Sequence, residues 1–127
     1  MDPIKEALTF DDVTLAPKYS SVLPSEVNTS VKLSKNLNLK IPLLSSAMDT
    51  VTESKMAIEI GKAGGIGVIH RNLSINDQIL EIKKVQKKGL AVGAAVGTND
   101  TEISRVKKII KCKVDLIVVD TAHGHTK

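Results

Sequence analysis

Polar residues in this 127-residue chain collect in four short clusters, each closing an apolar run: SSAMDT (45–50), HRN (70–72), VGTND (96–100) and DTAHGH (120–125). In the first, Ser46 offers a hydroxyl that can donate and accept a hydrogen bond, and Met48 a flexible apolar side chain that on its type alone is more often core filler. Asp49 fits a residue that holds a loop or caps a helix. In the last, Asp120 ends VDLIVVD, where a carboxylate can accept both hydroxyls of a ribose; the same residue at a strand end can instead cap a following helix. His123 and His125 share a face only if that strand continues, and two histidines are too few to hold a metal. Cys112, in IIKCKVDL, lies away from all four clusters and reads as a structural thiol.

The composition narrows the classes of function. Hydrophobic residues make up 42% and charged residues 25% of the chain, as in a soluble globular domain. Aromatics are only 2%, so the core must be built from Ile, Val, Leu, Ala and Met, which suits the β-branched strands of a buried parallel sheet. The net charge of +4 would fit a nucleic-acid binder, but its lysines are interleaved with apolar stripes. Lys83, Lys84, Lys87 and Lys88 accompany one such stripe, and Lys107, Lys108, Lys111 and Lys113 another, which reads as solvated outer faces of helices. A single cysteine excludes an internal disulfide and suits a reducing compartment. With no apolar signal core and no membrane-length apolar run, the expectation is a cytoplasmic protein without a membrane or nucleic-acid partner.

Positioning the clusters requires alternating elements. From Lys40 onward, IPLLSSAM, IGVIH, LAVGAAVG and VDLIVVDTAHG read as strands separated by three amphipathic helices, with strand starts recurring at roughly 24–25 residues. Strict alternation implies a parallel sheet. Thr50-x-x-Glu53, Ser74-x-x-Asp77 and Asn99-x-x-Glu102 fit capping pairs at the three helix starts. Ile75, Ile79, Ile82 and Val85 should share the buried face of the second helix, and Ile103, Val106 and Ile110 that of the third. Gly64-Gly65 and Gly89 fit helix stops. Upstream, residues 1–39 form an N-terminal segment in which VKLSKNLNLK suggests a hairpin. A doubly wound sheet and a barrel both begin βαβαβ, and periodicity does not choose between them; the G-x-G-x-x-G turn of a dinucleotide-binding sheet is missing.

The motifs LTFDDVTLAP, SSAMDTVTE, AGGIGVIHRN, VGAAVG and VDTAHGH, in that order and spacing, resemble the inosine monophosphate (IMP) dehydrogenase family from Ala7 to Thr126. The resemblance implies an α/β fold, a (β/α)8 TIM barrel, of which residues 40–127 supply roughly the first four strands. GMP reductase is the near relative sharing this half barrel. Thr52-Glu53 and Ala122-His123-Gly124-His125 favour the dehydrogenase over the M-D-T-V-G and V-A-N-G-Y pattern of the reductase. The regulatory CBS modules usual between the second helix and third strand are absent, because KKVQKKGLAVGAAVG runs straight through.

The implied activity is NAD-dependent oxidation of inosine monophosphate to xanthosine monophosphate, through a cysteine loop and a potassium site that the resemblance places beyond residue 127. By match to the family, Ser46 and Met48 contact the nucleotide, and Asp120, Thr121 and Ala122 line the nicotinamide-ribose side of the NAD site. Ser20 and Pro24 reach the adenosine end of NAD on a neighbouring subunit of a homotetramer. No catalytic or metal residue is assigned within the chain, so residues 1–127 alone are expected to be inactive. Two competing readings are a GMP reductase-like enzyme and a non-catalytic half barrel that assembles with another chain through an open sheet edge.

Overall fold

The computed structural model describes Pro3 and residues 5–125; Met1, Asp2, Ile4, Thr126 and Lys127, at the ends of the two expected segments, lie outside the described residues. From residue 5 to Ser30 the N-terminal segment is exposed and has no regular structure apart from a turn at residues 10–12, where the Asp12 N–H donates to Thr9 O at 3.1 Å, and a 3-10 turn at Pro24–Glu26. Two strands follow, β1 (Val31–Ser34) and β2 (Leu37–Leu39), paired antiparallel with Val31 opposite Leu39. Strict alternation then begins: β3 (Leu44–Ser45), α1 (Ser54–Lys62), β4 (Ile66–Ile69), α2 (Ile75–Gln86), β5 (Val92–Val96), α3 (Ile103–Lys111) and β6 (Leu116–Val119). The sheet order is β3-β4-β5-β6, and every pairing is parallel.

Each new strand adds to the same side of the sheet with no reversal, an order compatible with part of a barrel. The helices form one layer: Ile69, Val92, Ala94 and Val96 pack against Ala57 of α1, Ile82 and Val85 of α2 and Ile109 of α3. At Gly67 the approach of α1 is so close that a Cβ would fall 2.4 Å from Ala57, so no larger residue fits there without moving the helix. The hairpin sits on the other side of the fold's polarity. Its Leu37 and Leu39 pack with Ile66, Ala91 and Leu116, residues at or beside the N-terminal ends of β4, β5 and β6. One end of the sheet is thereby covered, and the C-terminal ends of the strands are left as the open end.

Several local expectations hold. Ser74 caps α2, accepting from the Asp77 N–H at 3.1 Å while its hydroxyl donates to the Asp77 carboxylate at 2.6 Å. Gly64 and Gly89 follow α1 and α2 with φ of 98° and 68°, a region costly for any residue with a Cβ. The α2–β5 connection is a short turn, and the lysines of α2 and α3 are exposed.

Others are corrected. Thr50 and Glu53 do not form a capping box: α1 starts at Ser54 without a local side-chain cap, and the Ser54 N–H donates instead to Glu81 Oε2 of α2, 2.7 Å away. Asn99 makes no side-chain cap either, because a 3-10 turn (Asp100–Glu102) intervenes and the Glu102 carboxylate accepts from the Gly97 N–H at 2.9 Å. The buried face of α3 is rotated from the expected one. Ile109 and Arg105 are buried and Val106 partly so, while Ile103 and Ile110 are more than half exposed. The first strand is shorter than the apolar run IPLLSSAM, since Pro42 lacks an N–H and the Leu43 N–H turns back to Ile41 O.

The rotation of α3 follows from a buried polar network. Gln78, fully buried in α2, donates through Nε2 to Ala95 O at 2.9 Å and Ile69 O at 3.4 Å. Its Oε1 accepts from Arg105 Nη1 at 2.8 Å; Arg105 Nη2 donates to Leu73 O, and its Nε pairs with Glu102. One amide thus joins β4, β5, α2 and α3. Replacing it by an apolar residue removes the partner of buried Arg105 Nη1 and of the Ala95 carbonyl, so Gln78→Leu is expected to cost about 2–4 kcal/mol, read as a lower urea midpoint; an unchanged midpoint would show the network to be dispensable.

The Glu81 cap should be visible as a pH effect. Burial raises the Glu81 carboxyl's pKa, but hydrogen bonds from Lys84 and Ser54 outweigh it and hold the group below its usual value. A carboxylate with a depressed folded pKa stabilises above its unfolded value and loses that contribution as pH falls through the folded one. Glu81→Gln should therefore cost about 1 kcal/mol at neutral pH, and the gap to the parent chain should close on acidification below the carboxylate range.

Candidate functional site

At the open end, the segments after β3, β4, β5 and β6 converge on two adjoining clefts. One, of about 360 Å³, is lined by Ala47, Met48, Asp49, His70, Arg71, Asn72 and Asp120. The other, of about 660 Å³, is lined by Thr98, Asn99, Val119, Thr121, Ala122, His123 and Gly124. They meet at the consecutive residues Asp120 and Thr121. Polar groups from separate strands, gathered at the C-terminal end of a parallel sheet, are what a ligand site in this architecture requires.

The loop carrying Met48 is stapled from within and from β4. The Thr52 hydroxyl donates to Ser46 O at 2.5 Å, and the Val51 and Thr52 N–H groups both donate to Met48 O. From the neighbouring loop, Asn72 Nδ2 donates to Asp49 Oδ2 at 2.9 Å, and the His70 N–H donates to Thr52 O at 3.4 Å. His70 itself is 2% exposed. Its Nδ1 accepts from the Asn72 N–H at 3.1 Å, so the neutral ring carries its proton on Nε2. That nitrogen is buried without a hydrogen-bond partner among the described residues, with Glu53 Oε1 3.6 Å away.

The other wall is set by Asp120. Its N–H donates to Val96 O at 2.9 Å, continuing the β5–β6 pairing one residue past the strand. Its Oδ2 pairs with Arg71 Nε at 3.3 Å, a contact from the end of β4 across the end of β5. Beneath the guanidinium, the Glu102 carboxyl is held below its usual range, first by the Gly97 N–H and then, against burial, by Arg105 and more weakly Arg71.

Of the residues singled out from the sequence, Met48 and Asp120 line the first cleft, and Thr121 and Ala122 the second. Ser46 is exposed and contributes its carbonyl to the loop staple, but lines neither cleft. Ser20 and Pro24 lie in the exposed N-terminal segment and line neither cleft. Asp49 holds its loop through Asn72. His123 and His125 approach edge to face, ring centres 6.5 Å apart, beyond the end of β6. Cys112 caps α3 and packs against the core. Sequence reading did not single out His70, Arg71 or Asn72 individually; their one signal was a polar triplet directly after an apolar strand. Among the described residues no cluster could hold a metal ion, and no helix is long and apolar enough to cross a membrane.

The Asn72 staple can be tested on the chain itself. Asn72→Ala should speed backbone amide exchange across residues 46–53 by about fivefold, the loss of one ordinary hydrogen bond, and leave α2 unchanged; equal protection in both forms would show that the loop does not depend on it.

Comparison with known proteins finds that the IMP dehydrogenase / GMP reductase domain family matches residues 7–127. The inosine-5'-monophosphate dehydrogenase of Borreliella burgdorferi is 42% identical over 172 aligned positions, covering 96% of this chain and 43% of the relative. That of Cryptosporidium parvum is 40% identical over 166 positions, covering 97% of this chain and 41% of the relative. The enzyme of Staphylococcus saprophyticus is 58% identical over 83 positions, which take in 65% of this chain and 17% of the relative. The chain therefore spans less than half the length of these relatives. The first two alignments contain more positions than this chain has residues, so those relatives carry segments with no counterpart here.

Proposed function

The chain belongs to the IMP dehydrogenase / GMP reductase family, and from that membership we propose that it forms the first half of a (β/α)8 barrel that oxidises inosine monophosphate to xanthosine monophosphate with NAD. The observation that carries the reading is the convergence of Met48, Asp120, Thr121 and Ala122, from opposite edges of a four-stranded parallel sheet, on adjoining clefts at its one open end. The dehydrogenase is favoured over the reductase by Thr52-Glu53 and Ala122-His123-Gly124-His125, and by what the relatives above are named.

In this reading the chain binds and orients, while the attacking cysteine and the potassium site belong to sequence beyond it. Met48 packs on the purine and the Ser46 hydroxyl meets the ribose or phosphate; the Thr52 and Asn72 staples keep their loop in place before the nucleotide arrives. Asp120 suits the nicotinamide ribose: it stands 46% exposed beside the cleft, and its Oδ1 accepts no hydrogen bond among the described residues. NAD, when bound, supplies the acceptor for the hydride. Thr121 and Ala122 flank it, and Ser20 and Pro24 extend toward its adenosine end on a neighbouring subunit of a cytoplasmic homotetramer.

A second reading, a half barrel that assembles with another chain, draws on the edges of β3 and β6, unpaired among the described residues, and on Ile103 and Ile110 of α3 and Val119 of β6, all more than half exposed. The two separate by assay. The complete protein is expected to form NADH and xanthosine monophosphate from inosine monophosphate and NAD, and residues 1–127 alone to form neither. Ammonia release from GMP would replace the dehydrogenase with the reductase, and activity of neither kind in the complete protein would leave the assembly reading.

A further inference from the structure

We infer that Arg71 is a positioning residue for the dinucleotide side of the site: it crosses the end of β5 to hold the Asp120 carboxylate in the orientation that a ribose diol needs. The inference rests on the NAD reading above and adds a residue to it.

The geometry begins with chain direction. Arg71 stands two residues past β4 and Asp120 one residue past β6, with β5 between them. A side chain must span a whole strand to join them, and Arg71 Nε does so, at 3.3 Å from Asp120 Oδ2. The path depends on Gly97. A Cβ there would lie 3.2 Å from Arg71 Nη1 and 3.1 Å from Glu102 Cγ, so a side chain at the end of β5 would crowd the guanidinium and the carboxylate beside it.

The charges around the pair explain why it forms. Asp49 and Asp120 line the same cleft and Glu102 lies next to Gly97, while among the described residues Arg71 is the one Lys or Arg lining that cleft. Both members remain reachable, at 41% and 46% side-chain exposure. An isolated carboxylate at a strand end rotates freely, and a ligand must then pay for its ordering. Here one oxygen is held from another strand and the backbone is held by the Asp120 N–H to Val96 O, while Oδ1 accepts no hydrogen bond among the described residues and is available to a ligand. Arg71 acts through Asp120 and is not itself a catalytic residue.

The test uses the complete protein and three variants, Arg71→Met, Arg71→Lys and Asp120→Asn, with the Arg71→Met/Asp120→Asn double variant closing the cycle. NAD is titrated calorimetrically into protein saturated with xanthosine monophosphate, where no turnover occurs, and KM for each substrate is measured in parallel. Arg71→Met should weaken NAD binding about tenfold and leave KM for inosine monophosphate within about twofold, with Arg71→Lys recovering part of the loss. In the Asp120→Asn background, Arg71→Met should add little, because its effect passes through that carboxylate. NAD binding within about twofold of the parent for Arg71→Met, or losses that multiply in the double variant, would overturn the inference while the dehydrogenase reading stands. A general weakening of both substrates would mark Arg71 as merely structural and overturn it too. Parent protein that neither binds NAD nor forms NADH takes down the reading and the inference together.

Discussion

The fully buried amide of Gln78 is the point on which the packing of α2 and α3 against the sheet turns. An amide in an apolar core is costly unless both its ends are used, and here Nε2 serves carbonyls of β4 and β5 while Oε1 receives Arg105. Because Arg105 must reach inward to make that bond, α3 presents Arg105 and Ile109 to the core and turns Ile103 and Ile110 outward. The same arginine holds Glu102, whose other bond fixes the Gly97 N–H at the end of β5. A core contact is thereby connected, group by group, to the rim of the second cleft.

The sheet's polarity does the rest. Parallel strands place all their C-terminal ends on one side, and the hairpin covers the opposite side with Leu37 and Leu39. What remains open is a rim built from four short loops, braced within and between themselves. The bonds between them are Asn72 to Asp49, the His70 N–H to Thr52 O, Arg71 to Asp120 and the Asp120 N–H to Val96 O. Cross-loop hydrogen bonds of this kind orient binding groups ahead of the ligand, which lowers the ordering cost of binding.

Much of the rim was legible from residues alone, because polar clusters after apolar runs mark strand ends in alternating β/α sequences. Met48 and Asp120 stood out within such clusters, Thr121 and Ala122 only by the match to the family, and all four line the clefts. His70, Arg71 and Asn72 stood in one as well, but nothing local distinguishes a staple from a solvated turn: their partners lie 18 to 49 residues away. Ser46 illustrates the converse, a residue whose type drew notice and whose carbonyl, not its hydroxyl, takes part in the loop's own bonding.

What the amino-acid order determined by itself was everything carried by neighbours within about one helical turn: the alternation of strands and helices, the Ser74–Asp77 cap, the glycine stops after α1 and α2, and the lysine-bearing outer faces. Tertiary structure decided what depends on distant partners. The cap of α1 comes from Glu81, 27 residues downstream; the face of α3 is chosen by Gln78; and the sheet adds strands in one direction, a feature that a βαβαβ pattern leaves free. The stop of α3 falls on Lys113, with φ of 55° and no glycine to announce it. The physical reason is common to all four: local propensity sets which element forms, but rotation, order and the last unsatisfied N–H of an element are settled only when the groups it packs against are in place.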